Sequence, residues 1–193
     1  AWPALVAALA VGAVLSGLLL TQLLGGGTPA VGRPSRLSVT LPAGVTFQAG
    51  TLPEMAVSPD GRALAFSARD AEGVVRLFVR DLDAPDAYVL SGTEGAQYPF
   101  WSPDGRWIAF FTQADGTLKK VDASGGPPVT VCDADDGKGG AWGSKDVIVF
   151  TPGPSDALHR VPASGGSSEP ITEVDRERHN SHRNPRFLPD GEH

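Results

Sequence analysis

A ten-residue phrase recurs along this chain, and its spacing restricts the fold more than any other feature. Trp101-Ser102-Pro103-Asp104-Gly105-Arg106-Trp107-Ile108-Ala109-Phe110 is the fullest copy. Ser58-Pro59-Asp60-Gly61-Arg62-Ala63-Leu64-Ala65-Phe66 nearly repeats it, and Phe187-Leu188-Pro189-Asp190-Gly191 begins it again. Pro59 to Pro103 is 44 residues, and Pro103 to Pro189 is 86, two steps of 43. A fixed period of this size indicates an array of like supersecondary units.

Each period reads as four short strands. The first runs into Ser-Pro-Asp-Gly, where Asp-Gly between two apolar runs signals a tight hairpin, because glycine tolerates the positive φ that primed turns require. Second strands are expected at Ala63–Ser67, Trp107–Thr112 and Val147–Thr151. Third strands begin with leucine, at Leu77, Leu118 and Leu158. Fourth strands follow at Tyr88–Leu90, Val129–Cys132 and about Glu169–Thr172. The turn Val121-Asp122-Ala123-Ser124-Gly125-Gly126 returns 40 residues later as Val161-Pro162-Ala163-Ser164-Gly165-Gly166. One copy is eroded: Ala141-Trp142-Gly143-Ser144-Lys145-Asp146 keeps the tryptophan and the strand after it but loses the proline.

Four-stranded units of about 40–45 residues are the blades of a β-propeller, stacked around an axis so that each sheet buries its faces against its neighbours. The expected fold is therefore all-β, with blades at 51–93, 94–133 and 134–173 and the first strand of a fourth in 174–193. Three blades do not close a ring, because propellers have about 4–8. The chain is thus expected to be part of a longer protein. Arg36-Leu37-Ser38-Val39-Thr40-Leu41 alternates as a strand does and is a candidate ring-closing strand within a linker, 28–50.

Ahead of the repeats, residues 1–32 carry no charge, and Ala4 to Leu24 is 21 residues built almost wholly of Ala, Val, Leu and Gly. At about 1.5 Å per residue such a helix matches the roughly 30 Å hydrocarbon core of a bilayer. One transmembrane α-helix is expected at 1–27, with a signal peptide as the rival reading. Small residues at spacing four (Ala8, Gly12, Ser16) offer a pairing face for a homodimer.

The remaining composition excludes classes of function. A net charge of −6 with no basic run argues against nucleic acid as a partner. Cys132 is the single cysteine, so an internal disulfide and a cysteine-based zinc site are excluded. Asp60, Asp104 and Asp190 occupy one turn in different repeats and are explained by it. Asp133-Ala134-Asp135-Asp136-Gly137-Lys138 has a calcium-loop look but lacks the glycine and glutamate spacing. His179 and His182 stand three apart without a third ligand. No nucleophile elbow and no phosphate-binding Gly-x-x-x-x-Gly-Lys loop occurs. No catalytic, metal or cofactor residue is therefore assigned. Residues leading into the first strand of a blade lie near a propeller's central channel, which makes Gln97, Tyr98, His182 and Arg183 the candidate contacts for an unknown protein or small-molecule ligand.

The Ser-Pro-Asp-Gly-Arg repeats over 51–193 resemble the TolB-type, WD-repeat-like propeller family. The wider series of an apolar run, Arg36–Gly44, Leu77-Phe78-Val79-Arg80-Asp81-Leu82-Asp83, Gly92–Ala96, Leu118–Val121 and Ser181-His182-Arg183 is similar to the C-terminal half of bacterial transmembrane serine/threonine protein kinases. That resemblance implies a single-pass protein of the inner (plasma) membrane with the propeller outside as a sensor. It also implies ATP and Mg only in a kinase domain ahead of Ala1, since no kinase motif lies in this chain. The other readings are a TolB-type envelope interaction propeller without a kinase, and the propeller of a membrane-anchored prolyl-oligopeptidase-like peptidase.

Overall fold

The runs Ala63–Arg69 and Trp107–Thr112 are buried on both faces of their sheets, and the repeats use this to stack sheet on sheet. A computed structural model describes residues 40–47, 54–178 and 180–193. Thr40–His193 form one unit. The first sheet has β1 (Met55–Val57), β2 (Ala63–Arg69), β3 (Val75–Asp81) and β4 (Tyr88–Val89). The second has β5 (Ala96–Trp101), β6 (Trp107–Thr112), β7 (Thr117–Asp122) and β8 (Val129–Asp133). The third has β9 (Gly140–Trp142), β10 (Val147–Phe150), β11 (His159–Pro162) and β12 (Glu169–Pro170). Each sheet is an antiparallel meander in chain order, and the registers repeat: Leu64 opposes Arg80, Ile108 opposes Val121, and Ile148 opposes Val161.

Alternation sorts the side chains into two cores. Ala65, Leu77, Val79 and Leu90 of the first sheet meet Trp101, Ile108, Phe110 and Val121 of the second. Ala109, Phe111, Leu118 and Val131 on the other face of the second sheet meet Trp142, Ile148, Phe150 and Val161 of the third. Full burial of a side chain of this size contributes about 1.5–3 kcal/mol, so both faces of the central sheet stabilise the stack. Trp101, which closes β5, also ties its sheet to the first by its indole: Nε1 donates to the Ala56 carbonyl at 2.9 Å.

The Ser-Pro-Asp-Gly loops are wider than the two-residue primed turns expected for Asp-Gly. The Gly61 N–H bonds the Ser58 carbonyl (2.9 Å), and the Gly105 N–H bonds that of Ser102 (2.9 Å). Only the glycines, at φ 72° and 70°, are left-handed. Proline at the second position, whose φ is locked negative, excludes a primed turn. The serine and aspartate then cap the loop: Ser102 Oγ donates to Asp104 Oδ1 (2.5 Å), and Oδ1 accepts the Arg106 N–H (3.0 Å). These bonds hold the Asp60 and Asp104 carboxyls below the usual range.

Two expectations are corrected. Among the described residues the fold class is all-β, with no helix ahead of the sheets. Among the described residues the backbone bonds form cross-strand ladders and turns, there is no helix, and no helix is long and apolar enough to cross a membrane. The run Ala4–Leu24, on which that expectation rested, lies outside the described residues, as does most of the candidate ring-closing strand. Residues 174–193 also hold no strand among those described. A lone first strand has no sheet partner. Its backbone is instead satisfied by the third sheet's loops, with the Ser144 N–H on the Gly191 carbonyl (2.9 Å) and the Asn184 N–H on that of Lys138 (3.3 Å).

Candidate functional site

The first strands of the units start with a kink that the sequence repeats but does not advertise. Tyr98, Gly139 and Asn184 each stand three residues before Trp101, Trp142 and Phe187, and their φ angles are 49°, 98° and 52°. Left-handed backbone is expected of glycine and tolerated by asparagine, but it is an outlier for tyrosine. Tyr98 and Asn184 both precede proline, which removes a ladder donor and narrows the conformations of the residue before it. The register of β5 on β6 shifts between Gln97 and Phe100 at this point.

The kink takes the Tyr98 N–H out of the ladder and aims it at the first sheet, where it donates to Glu54 Oε2 at 2.6 Å. Glu54 holds the equivalent place in its own unit, three residues before Val57. Burial pushes its carboxyl pKa up, and the Tyr98 N–H and the Lys138 charge offset that only in part. The Tyr98 ring packs against the core between the second and third sheets, with the Lys138 ammonium 5.8 Å from its centroid.

A polar chain runs outward from here. Gln97 Nε2 donates to Gln113 Oε1 (3.5 Å), the Gln113 amide to Asp136, and Lys138 Nζ to Asp136 Oδ1 (2.6 Å). The Lys138 bond, then Gln113 and the charges of Lys138 and Arg183, hold the Asp136 carboxyl below its ordinary value against its partial burial. Arg183 is positioned by the Pro154 carbonyl (2.7 Å) and Ser181 Oγ (2.8 Å). A cavity of about 110 Å³ lies among these starts, lined by Met55, Tyr98, Phe100, Gly140, Asn184 and Arg186. It admits a side chain rather than a cofactor.

Of the four residues expected from the sequence, Gln97 and Tyr98 lie in this cluster, and Arg183 reaches it through its field on Asp136. His182 is placed differently. Its N–H bonds the Asp156 carbonyl (3.1 Å), its carbonyl accepts Thr151 Oγ1 (2.6 Å), and Nδ1 meets Thr172 Oγ1 (2.8 Å), so it fastens a loop to the third sheet. Glu54, Gln113, Asp136, Lys138 and Asn184 were not singled out by sequence. Setting Tyr98-Pro99 over Asn184-Pro185 would have found the last of them. Asp136 is in the loop with the calcium look, and its carboxylate is taken by Lys138 and Gln113. Among the described residues no three His, Cys, Asp or Glu side chains converge as a metal site would need, and His179 lies outside those residues.

No family model matches the chain, and no curated protein does. Among solved structures, TolB from Acinetobacter baumannii is 19% identical, with a TM-score of 0.55 over 72% of this chain and 35% of that one. The TolB candidate from Agrobacterium tumefaciens is 23% identical, with a TM-score of 0.49 over 63% and 50% of the two chains. The β-propeller domain of the Trilobed protease from Pyrococcus furiosus is 14% identical, with a TM-score of 0.45 over 62% and 44%. This chain spans from about a third to half the length of these structures. At such identity the likeness to the Acinetobacter protein speaks of fold, and the three stacked sheets are blades of a TolB-type β-propeller.

Proposed function

We propose that this propeller is a protein-interaction module that receives a segment of a partner protein on the rim where the first strands start. The observation that carries the reading is the recurring left-handed kink at Tyr98, Gly139 and Asn184, beside a half-buried carboxylate and a small cavity. Strained backbone of this kind costs on the order of 1–3 kcal/mol per residue and collects at ligand sites more than at purely structural ones. Gln97, Gln113 and Lys138 supply donors at the rim, and Asp136 and Glu54 supply acceptors. An extended peptide can pair with both kinds, while the cavity takes one of its side chains. The names of the similar TolB structures fit this reading without carrying it. A serine/threonine kinase domain in the same polypeptide is a finer proposal that rests on sequence resemblance alone. Kinase motifs in the coding sequence ahead of Ala1 would support it.

The test is selection of binding peptides from a random library on the 193-residue chain, followed by titration of the selected peptides. Gln97→Ala and Lys138→Ala are each expected to weaken them about tenfold or more, with Asp133→Asn as an unaffected control. Peptides whose affinity ignores both rim substitutions would overturn the assignment.

A further inference from the structure

The opposite ends of the first strands carry a second recurring feature, a groove between the loops that follow successive first strands. Between the second and third sheets it measures about 480 Å³ and is lined by the chain's own Lys120. Lys120 Nζ stands 5.0 Å from the Trp107 ring centroid and 5.8 Å from that of Trp142, and it donates to the Ala163 carbonyl at 2.7 Å. Aromatic faces and a carbonyl oxygen are what an ammonium group needs when it leaves water.

Between the first and second sheets the same groove lacks its lysine. The register places Val79 where Lys120 stands, Ala63 where Trp107 stands, Trp101 where Trp142 stands and Ala123 where Ala163 stands. The volume rises to about 680 Å³. The Ala123 carbonyl accepts the Tyr88 hydroxyl at 3.0 Å and keeps a second lone pair. Four carboxylates, Asp60, Asp81, Asp83 and Asp104, line it against one cation, Arg62. Bonds from Ser58 and Ser102 hold two of the four ionised. Asp81 and Asp83 are exposed, and neither side chain has a partner among the described residues.

We propose that the groove between the first two sheets binds a lysine side chain of a partner protein, laid against Trp101 as Lys120 lies against Trp142 in the next groove, and held by the surrounding carboxylates. Carboxylates alone would attract any cation. The neighbouring groove adds the pose, because it shows the equivalent tryptophan and carbonyl receiving an ammonium group. This surface is separate from the rim of the proposed function, at the other end of β5, so either can fail alone.

The experiment is fluorescence anisotropy of the 193-residue chain with a labelled octapeptide of alternating lysine and serine, beside its glutamate counterpart. Saturable binding of the lysine peptide alone is expected. Asp81→Asn with Asp83→Asn should weaken it about tenfold or more, whereas Asp133→Asn with Asp135→Asn, which removes as much charge elsewhere, should change it less than twofold. Equal loss in both double variants would show attraction to net charge and overturn the proposal. So would wild-type binding by the Asp81/Asp83 variant, or failure of the lysine peptide to bind.

Discussion

Two glycines separate the costs of backbone strain and of space. Gly61 sits at φ +72° with nothing near where a Cβ would be, so Gly61→Ala is expected to cost only the left-handed penalty of about 1–2 kcal/mol. Gly137 has no such φ, but a Cβ there would enter the Phe111 ring, which is buried between two sheets. Gly137→Ala should therefore cost about 3 kcal/mol, the upper end of overpacking. Urea unfolding of the two variants measures both, and equal losses would contradict this account. Glu54 gives a pH test. Its folded pKa lies above the ordinary value near 4.5, so its contribution favours the fold below that value and is lost as pH rises through the folded pKa. Glu54→Gln should be at least as stable as the parent at pH 7, with the advantage shrinking towards pH 4. The aspartates with lowered pKa, such as Asp104 and Asp136, act in the opposite sense and lose their contribution as pH falls. Melting temperatures from pH 4 to 8 separate the two, and an unchanged pH slope in Glu54→Gln would count against the buried site.

At the scale of the strand, the period was legible because each element needs a residue type the sequence cannot hide. Leucine recurs at or near the start of the third strands, tryptophan closes β5 and β9, and Ser-Pro-Asp-Gly caps the loops after β1 and β5. The turn geometry was less legible, since Asp-Gly suggested a primed turn that the preceding proline forbids. The rim was harder still. A left-handed tyrosine leaves no mark in composition, and Glu54, Lys138 and Asn184 meet only when three blades are stacked. Two predictions belong to this scale. Trp101→Phe keeps the ring in the core but removes the bond to Ala56, so it should cost about 1 kcal/mol and loosen the first sheet from the second. Cys132 on β8 is buried, and desolvation, then Asp133, pushes its thiol pKa up to about 12. Thiol reagents at pH 8 should label it only after unfolding, and labelling at the rate of a free thiol in the native protein would contradict its place in the core.

Across the described residues, three like sheets share two cores, with two kinds of surface at opposite ends of the first strands. The stack makes each end recur, so strained starts gather at one rim and capped loops at the other. Small differences between repeats then set the chemistry, as Val79 in place of Lys120 leaves the groove between the first two sheets wider and without that cation. Residue-resolved amide hydrogen exchange of the 193-residue chain tests this architecture most directly. The account predicts three separate stretches of slow exchange, centred on β2, β6 and β10, with the Arg186 and Phe187 amides exchanging fast because they pair with no strand. Slow exchange at Arg186 and Phe187, or a β10 as unprotected as the loops, would contradict it.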